Sequence, residues 1–403
     1  MTPDARRILA AQAARAFGYG LGAVLLGAML HQRRYSSTEA GGVLAAVLGG
    51  TIVSSVAIGR WGDRLGRRRC YAFLYGILAV TGVVFAFAGS VWPLIVVSLA
   101  GGLSTEVVES GPFTSLEQAM LAGQLQRAKL ARGFGVYNAV ATAAGSIGAL
   151  AAAGVGLLRR HWAHAPADSR FFLLLVAAAL AGLAIALQLS GGVEAPGRSP
   201  DVEAPRARPA LGPSRPIVVR LATLFALDSF GGGFVVQAFI AFWLAQRFDA
   251  SLGVLGITFF AVGVLQTFSF LVAGRLATRF GLLATMVFTH LPSNLLLIAL
   301  AFAPNLPTAI TLLLARVVLS QMDVPTRQAY VMALVEPAER TAAASVTNTA
   351  RYLVRPIGPL LAGTVQSAGL GTPFVIAGTI KSIYDLILWR WFRTVPLPEE
   401  SPT

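Results

Sequence analysis

One pattern of residues occurs twice in this chain, at offsets of 213, 215 and 210 residues in chain order, inside segments hydrophobic enough to cross a membrane. Gly59-Arg60-Trp61-Gly62-Asp63-Arg64-Leu65-Gly66 recurs as Gly274-Arg275-Leu276-Ala277-Thr278-Arg279-Phe280-Gly281, keeping the Gly, Arg, Arg and Gly spacing. Arg15-Ala16-Phe17-Gly18-Tyr19-Gly20 aligns with Asp228-Ser229-Phe230-Gly231-Gly232-Gly233. Gln118-Ala119, Asn138 and Ile147-Gly148-Ala149-Leu150 return as Gln328-Ala329, Asn348 and Ile357-Gly358-Pro359-Leu360. Loop insertions between equivalent helices account for the drift in offset. Such a repeat predicts two copies of one helical bundle, related by a pseudo-twofold axis along the membrane normal.

Charged residues are 12% of the chain and apolar ones 55%, against roughly 25% and 45–50% in soluble domains. A soluble chain this poor in charge could not cover its surface. Apolar runs of about 20 residues match a hydrocarbon core about 30 Å thick. Twelve spans are predicted, at 8–30, 39–58, 70–89, 92–120, 133–157, 171–190, 217–244, 253–274, 284–303, 308–335, 343–366 and 373–391. The fold class is therefore all-α, with six membrane helices per half. No small-residue cleavage site follows the first span, so it reads as a retained helix and not a signal peptide.

Charge orients the chain. Of 32 Lys and Arg residues, six lie well inside the spans, twenty lie in or beside alternate loops starting with the N-terminus, and six lie in the opposite loops. This bias places both termini in the cytoplasm. The net charge of +14 is then a topology signal and requires no nucleic-acid partner, because the bases are scattered over short loops without interleaved aromatics. Residues 191–216, rich in Pro, Gly, Ser and mixed charge, read as a cytoplasmic linker between bundles at 1–190 and 217–403. The preference for Arg, Ala and Gly points to a GC-rich bacterial source and so to a bacterial inner membrane. The lone Cys70 reads as a structural thiol. His31, His161, His164 and His290 fall mostly in outer loops, without a nucleophile or carboxylate at motif spacing, so neither an enzyme nor a cofactor or metal is expected. No Gly-x-x-x-x-Gly-Lys-Ser/Thr loop is present to bind ATP, which leaves an ion gradient, most simply of protons, as the energy source.

The loop after the second span carries Gly59-x-x-x-Asp63-Arg64-x-Gly66-Arg67-Arg68. It resembles the signature loop of the major facilitator superfamily, Gly-x-Leu-x-Asp-Arg-x-Gly-Arg-Lys/Arg, in the same place and on the positive side. The second copy, with Gly274, Arg279 and Gly281, lies between spans eight and nine, where that family also carries one, but has Thr278 in place of the acid. The resemblance covers essentially the whole chain. It implies two six-helix bundles around a central cavity that opens alternately to each side. By their chemistry, Gly59 and Gly66 permit a tight turn and close helix approach. Asp63 suits a helix N-terminus, and Arg64, Arg67 and Arg68 suit acids or lipid phosphates. Asp63 and Arg64 are expected to form a gating latch.

Charges inside the spans mark a substrate or ion pathway. An Arg at a helix centre costs roughly 2.5–3.5 kcal/mol unless partnered or hydrated. Arg316, Asp323 and Arg327 share one face of span ten, and Asn348, Arg351 and Arg355 one face of span eleven. Glu106, Glu109 and Glu117 align on span four, with Pro112 a possible kink. Asp228 and Gln237 lie on span seven, and Arg15 occupies the equivalent place on span one. Six acids against six bases predict ion pairs, partly across the two bundles. Glu117 and Arg327 sit near span ends, where they reach either the interface or the pathway. Lys381 and Asp385, four residues apart, read as a local neutralising pair. Glu106 and Glu109, one turn apart, suit a proton carrier, and Arg316, Arg351 or Arg355 suits contact with substrate.

The resemblance implies a secondary transporter working by alternating access as a monomer, with a small-molecule substrate, protons and the lipid bilayer as partners. Two features of the family's drug exporters are absent: a proline in the Gly145-Ser146-Ile147-Gly148 run of span five, and an Arg in span four. Proton-coupled export of a small organic molecule is the leading reading. Import or exchange of an anion is the second, and a receptor or scaffold that does not transport is the third.

Overall fold

The computed structural model describes residues 1–105, 111–124, 130–162, 164, 168–194, 211–336 and 339–395, leaving aside the side chains of residues 63, 130–132, 159, 160 and 341. Glu106 and Glu109 lie outside the described residues, as does the Asp63 side chain. Among the described residues the chain is helical and has no strand. The helices are α1 (Pro3–Gln32), α2 (Ser37–Leu65), α3 (Arg67–Phe87), α4 (Val91–Leu99), α5 (Gly111–Gly123), α6 (Leu130–His161), α7 (Leu173–Leu187) and α8 (Arg215–Gly233). They continue as α9 (Gln237–Phe248), α10 (Leu252–Phe280), α11 (Leu282–Leu300), α12 (Leu306–Ser320), α13 (Asp323–Leu334), α14 (Arg340–Val354), α15 (Ile357–Val365) and α16 (Thr372–Phe392).

All twelve predicted spans are helical, and four of them are interrupted. Span seven breaks after Gly231-Gly232-Gly233, where Phe234 N–H and Val235 N–H turn back on Gly231 and Gly232. Span ten breaks at Gln321 and Met322, and Pro325 has no N–H to return to the Gln321 carbonyl. Span eleven breaks at Arg355-Pro356, where Gly358 N–H bonds Arg355 O at 3.2 Å. Span four ends its first helix before Gly101, which sits at φ 75°. Nine helical stretches among the described residues are long and apolar enough to cross a membrane. They match spans one to three and five to ten. The exterior is apolar, with Phe73, Trp92 and Phe302 68%, 70% and 71% exposed. Lipid is the solvent that tolerates such a surface.

Local chemistry sets the helix ends. Thr2 caps α1 by accepting from Ala5 N, with Pro3 opening the helix. Ser36 and Glu39 form a reciprocal capping box on α2. The signature-loop glycines Gly66 and Gly281 stand at φ 92° and 84°, joining α2 to α3 and α10 to α11. That backbone region is costly for any residue with a β-carbon. Gly59 and Gly274 do not share this duty. They lie within α2 and α10, and a β-carbon at either would meet open space. The expected close approach at Gly59 is therefore corrected: the turn belongs to Gly66 alone.

Packing groups residues 1–196 with 236–264 and residues 197–235 with 265–403. Against the sequence boundaries of 1–190, 191–216 and 217–403, α9 and the start of α10 thus pack with the first group. In the first unit α1 crosses α6 closely: a β-carbon at Gly20 would stand 1.9 Å from Gly145 O, and one at Gly148 2.0 Å from Phe17 O. A β-carbon at Gly27 would stand 2.5 Å from Ala238 O of α9. In the second unit the repeat returns the same device, with Gly233 of α8 against Gly358 of α15. Small residues let membrane helices approach where lipid supplies no hydrophobic drive. Its core gathers Val218, Leu221, Phe225, Met286, Tyr330, Tyr384 and Leu388.

Candidate functional site

In the first unit α1 and α5 present Arg15 and Glu117 to each other. Arg15 Nη2 lies 2.6 Å from Glu117 Oε2, and Arg15 Nε donates to Oε1 at 3.2 Å. Tyr71 and Tyr137 donate their hydroxyls to the same carboxylate at 2.7 and 2.6 Å. The Arg15 guanidinium is also 5.2 Å from the centres of the Tyr19 and Phe113 rings. Both charges are wholly buried. Four donors on one carboxylate make this a fixed anchor. Glu117 therefore does not reach the interface.

The second unit carries a larger network. Lys381 of α16 donates to the Asp228 carboxylate of α8 and, at 3.4 Å, to the Asp228 carbonyl. Arg327 pairs with Asp323 one turn earlier on α13 at 2.6 Å and lies 3.6 Å from Asp228. Lys381 and Asp385 do not form the local pair expected from their spacing. Asp385 instead lies 2.9 Å from His290 Nδ1 and accepts from Asn294 Nδ2 at 2.8 Å, both on α11. His290 Nε2 faces Asp228 Oδ1 at 3.8 Å. Asp228, His290, Asp323, Arg327, Lys381 and Asp385 are all buried. Steps of four residues place Lys381 with Asp385 on one face of α16, and His290 with Asn294 on one face of α11.

The remaining predicted residues are distributed around these elements. Arg316 of α12 is half-buried, and among the described residues its Nε has no hydrogen-bond acceptor. Arg351 is buried on α14, and its carbonyl accepts from Ser229 Oγ at 2.8 Å. Arg355 stands at the α14–α15 break, and Asn348 is exposed on α14. Gln237 opens α9 and so belongs to the first unit, apart from Asp228. In the signature loop Arg64 is exposed, while Glu194 accepts from Arg67 N at 2.6 Å and Arg68 N at 3.3 Å. In the second copy Arg279 lies 5.3 Å from the Phe280 ring, and Thr278 bonds back to Arg275 O.

Motif spacing does not single out His290, because a lone histidine carries no motif. Its signal was position: it falls inside span nine, and the 215-residue offset maps it onto Tyr75 of the first half, itself a buried polar residue beside Tyr71. At the linker's far end Glu339 accepts from Gly212 N at 2.6 Å and Ser214 N at 3.1 Å. A hydrogen bond from the Ser214 side chain, with these two amides, holds the Glu339 carboxyl below its ordinary value of 4.5.

A family model described as Major Facilitator Superfamily matches residues 8–359, with a further match over 221–403. A protein of Saccharomyces cerevisiae described as "Uncharacterized membrane protein YJR124C" is 25% identical over 423 residues, covering 97% of this chain and 94% of the yeast protein. Among solved structures, an auto-inhibited POT family peptide transporter matches with a TM-score of 0.76 at 13% identity, covering 100% of this chain and 99% of its own. The nucleoside transporter NupG matches at 0.72 and 15% identity, covering 96% and 99%. A D-xylose-proton symporter matches at 0.71 and 15% identity, covering 96% and 97%.

Proposed function

Because the chain belongs to the Major Facilitator Superfamily, we propose that it is a secondary active transporter that moves a small organic molecule by alternating access, driven by protons. The observation that carries this reading is the buried network of Asp228, His290, Asp323, Arg327, Lys381 and Asp385. Six ionisable groups on four membrane helices are a costly way to hold a bundle together, and such groups mark ion and substrate paths. The D-xylose-proton symporter of the same fold supports protons as the driving ion. The positive-inside bias supports cytoplasmic termini. The composition's hint of a bacterial inner membrane stands against a yeast relative that spans nearly the whole chain. What is carried is a multi-pass membrane protein.

A second reading, transport of an anion, draws on Arg316, a half-buried guanidinium whose Nε has no acceptor among the described residues. One experiment addresses both. Purified protein is screened for thermal stabilisation by metabolites and drugs, since a ligand that binds the folded state raises its stability. Each hit is then assayed in proteoliposomes with an imposed pH gradient, in both directions. Movement of a neutral or cationic hit with protons supports the first reading, and movement of organic acids without proton coupling supports the second. If no hit moves in either direction, the transporter reading fails.

A further inference from the structure

In the second unit, the two fixed cations nearest the buried acids are already taken. Lys381 holds Asp228, and Arg327 holds Asp323 while lying 3.6 Å from Asp228. Asp385 differs from both. Among the described residues its partners are His290 and Asn294, and only His290 can carry a positive charge. The pair therefore holds a net charge of zero or minus one, depending on a single proton.

The geometry gives that proton an address. An ionised Asp385 accepts from Nδ1–H of His290, the tautomer its position dictates, which leaves the Nε2 lone pair bare. Nε2 points at Asp228, 3.8 Å away. A proton added there turns Nε2 into a donor aimed at the carboxylate Lys381 now holds. Other charges face this point from each neighbouring helix. Asp323 and Arg327 come from α13, Tyr384 from α16 with its ring 5.9 Å from that of His290, and Arg316 from α12 at longer range, acting on Asp228.

We propose, resting on the proton coupling inferred above, that the His290–Asp385 pair is the site that carries the coupled proton, and that its protonation competes with Lys381 for Asp228. The proton adds to His290 Nε2 from water on one face of the membrane and leaves to water on the other, with no other bond made or broken. Asp228 stands about one turn before Gly231-Gly232-Gly233, where α8 ends and the chain passes to the first unit. A change in its partner thus acts on the helix end at which the two units are joined in sequence.

The test needs no substrate. The full chain, labelled with 15N-histidine in lipid nanodiscs, is titrated by NMR from about pH 5 to about pH 8, the range in which imidazoles change charge. Wild type, His290→Tyr and Asp385→Asn are compared. His290→Tyr restores the residue type of the first half, so it tests the site with a side chain that the fold accommodates elsewhere. Of the four imidazoles, the one whose signal is missing in His290→Tyr is expected to change charge across the range in wild type and to change it over a different range in Asp385→Asn. A His290 resonance that keeps one charge across the range, or that ignores Asp385→Asn, overturns the assignment. Transport is read separately. With any hit from the screen, His290→Tyr should lose accumulation against a gradient and keep counterflow exchange. Full accumulation in His290→Tyr overturns the carrier role while leaving the transporter reading intact. Wild type that moves hits without protons refutes proton coupling itself.

Discussion

Arg327 lies 3.6 Å from Asp228 at the two positions where the first half of the chain carries Glu117 and Arg15, with the charges exchanged. The repeat has kept the place of an ion pair and reversed its sign. In the first unit the acid is saturated by four donors and, among the described residues, has no other cation. In the second, Asp228 has Lys381, Arg327 and His290 within reach, so the same location became a branch point. One unit holds an anchor and the other a network with three basic side chains around one carboxylate.

The anchor should behave as a buried pair. Glu117→Ala strands Arg15 and the Tyr71 and Tyr137 hydroxyls, at a cost of about 3–5 kcal/mol. Arg15→Leu with Glu117→Leu removes both charges and should recover most of that loss. Thermal unfolding in detergent measures this. A double variant as unstable as the single one would show that the pair contributes more than mutual neutralisation.

Glu194 takes the first two amides of α3, directly after the signature turn. Glu194→Ala should weaken that helix start by about 1 kcal/mol, the scale of a lost helix N-terminal acceptor. Amide exchange at residues 67–70 should quicken in the variant, and unchanged protection there would remove Glu194 from the turn.

Asp63 is the one carboxylate in an otherwise basic loop. Asp63→Asn is expected to slow turnover in reconstituted vesicles while leaving expression and ligand binding near wild type. Equal turnover would exclude the latch.

Glu339 predicts a pH effect at the other end of the linker. Its carboxyl titrates lower in the folded chain than in the unfolded one. The anchor it makes to Gly212 and Ser214 is therefore complete above pH 4.5, the ordinary value, and is lost as pH falls through the folded value. Protection of the amides at residues 211–216, taken relative to their intrinsic exchange rates, should fall in acid, and Glu339→Gln should show the lower protection already at neutral pH with little further change. A wild type and variant that exchange alike at neutral pH would contradict it.

Much of the fold was legible because membrane burial writes itself into single-residue properties. Apolar length gave all twelve spans, and the repeated Gly66 and Gly281 marked two turns that require positive φ. The breaks in spans seven, ten and eleven follow from Gly231-Gly232-Gly233, Pro325 and Pro356, residues visible in the chain but silent about whether neighbouring helices would tolerate a continuous helix. The candidate site was half legible. Asp228, Asp323, Arg327, Lys381 and Asp385 announced themselves as charges at depth, whereas His290 and the tyrosines around Glu117 did not.

The sequence by itself determined the number of spans, the duplication, the bias of charge between loops and the face of each helix on which a buried charge lies. Helical periodicity and the cost of burying charge suffice for these. Only the tertiary structure decided which charge meets which. Lys381 and Asp385 share a face, yet one pairs with Asp228, 153 residues away, and the other with His290, 95 residues away. Spacing along a helix fixes the direction in which a side chain leaves it. Which helix stands in that direction, and at what height, depends on close approaches such as Gly20 to Gly145 and Gly233 to Gly358, which arise only when the helices pack.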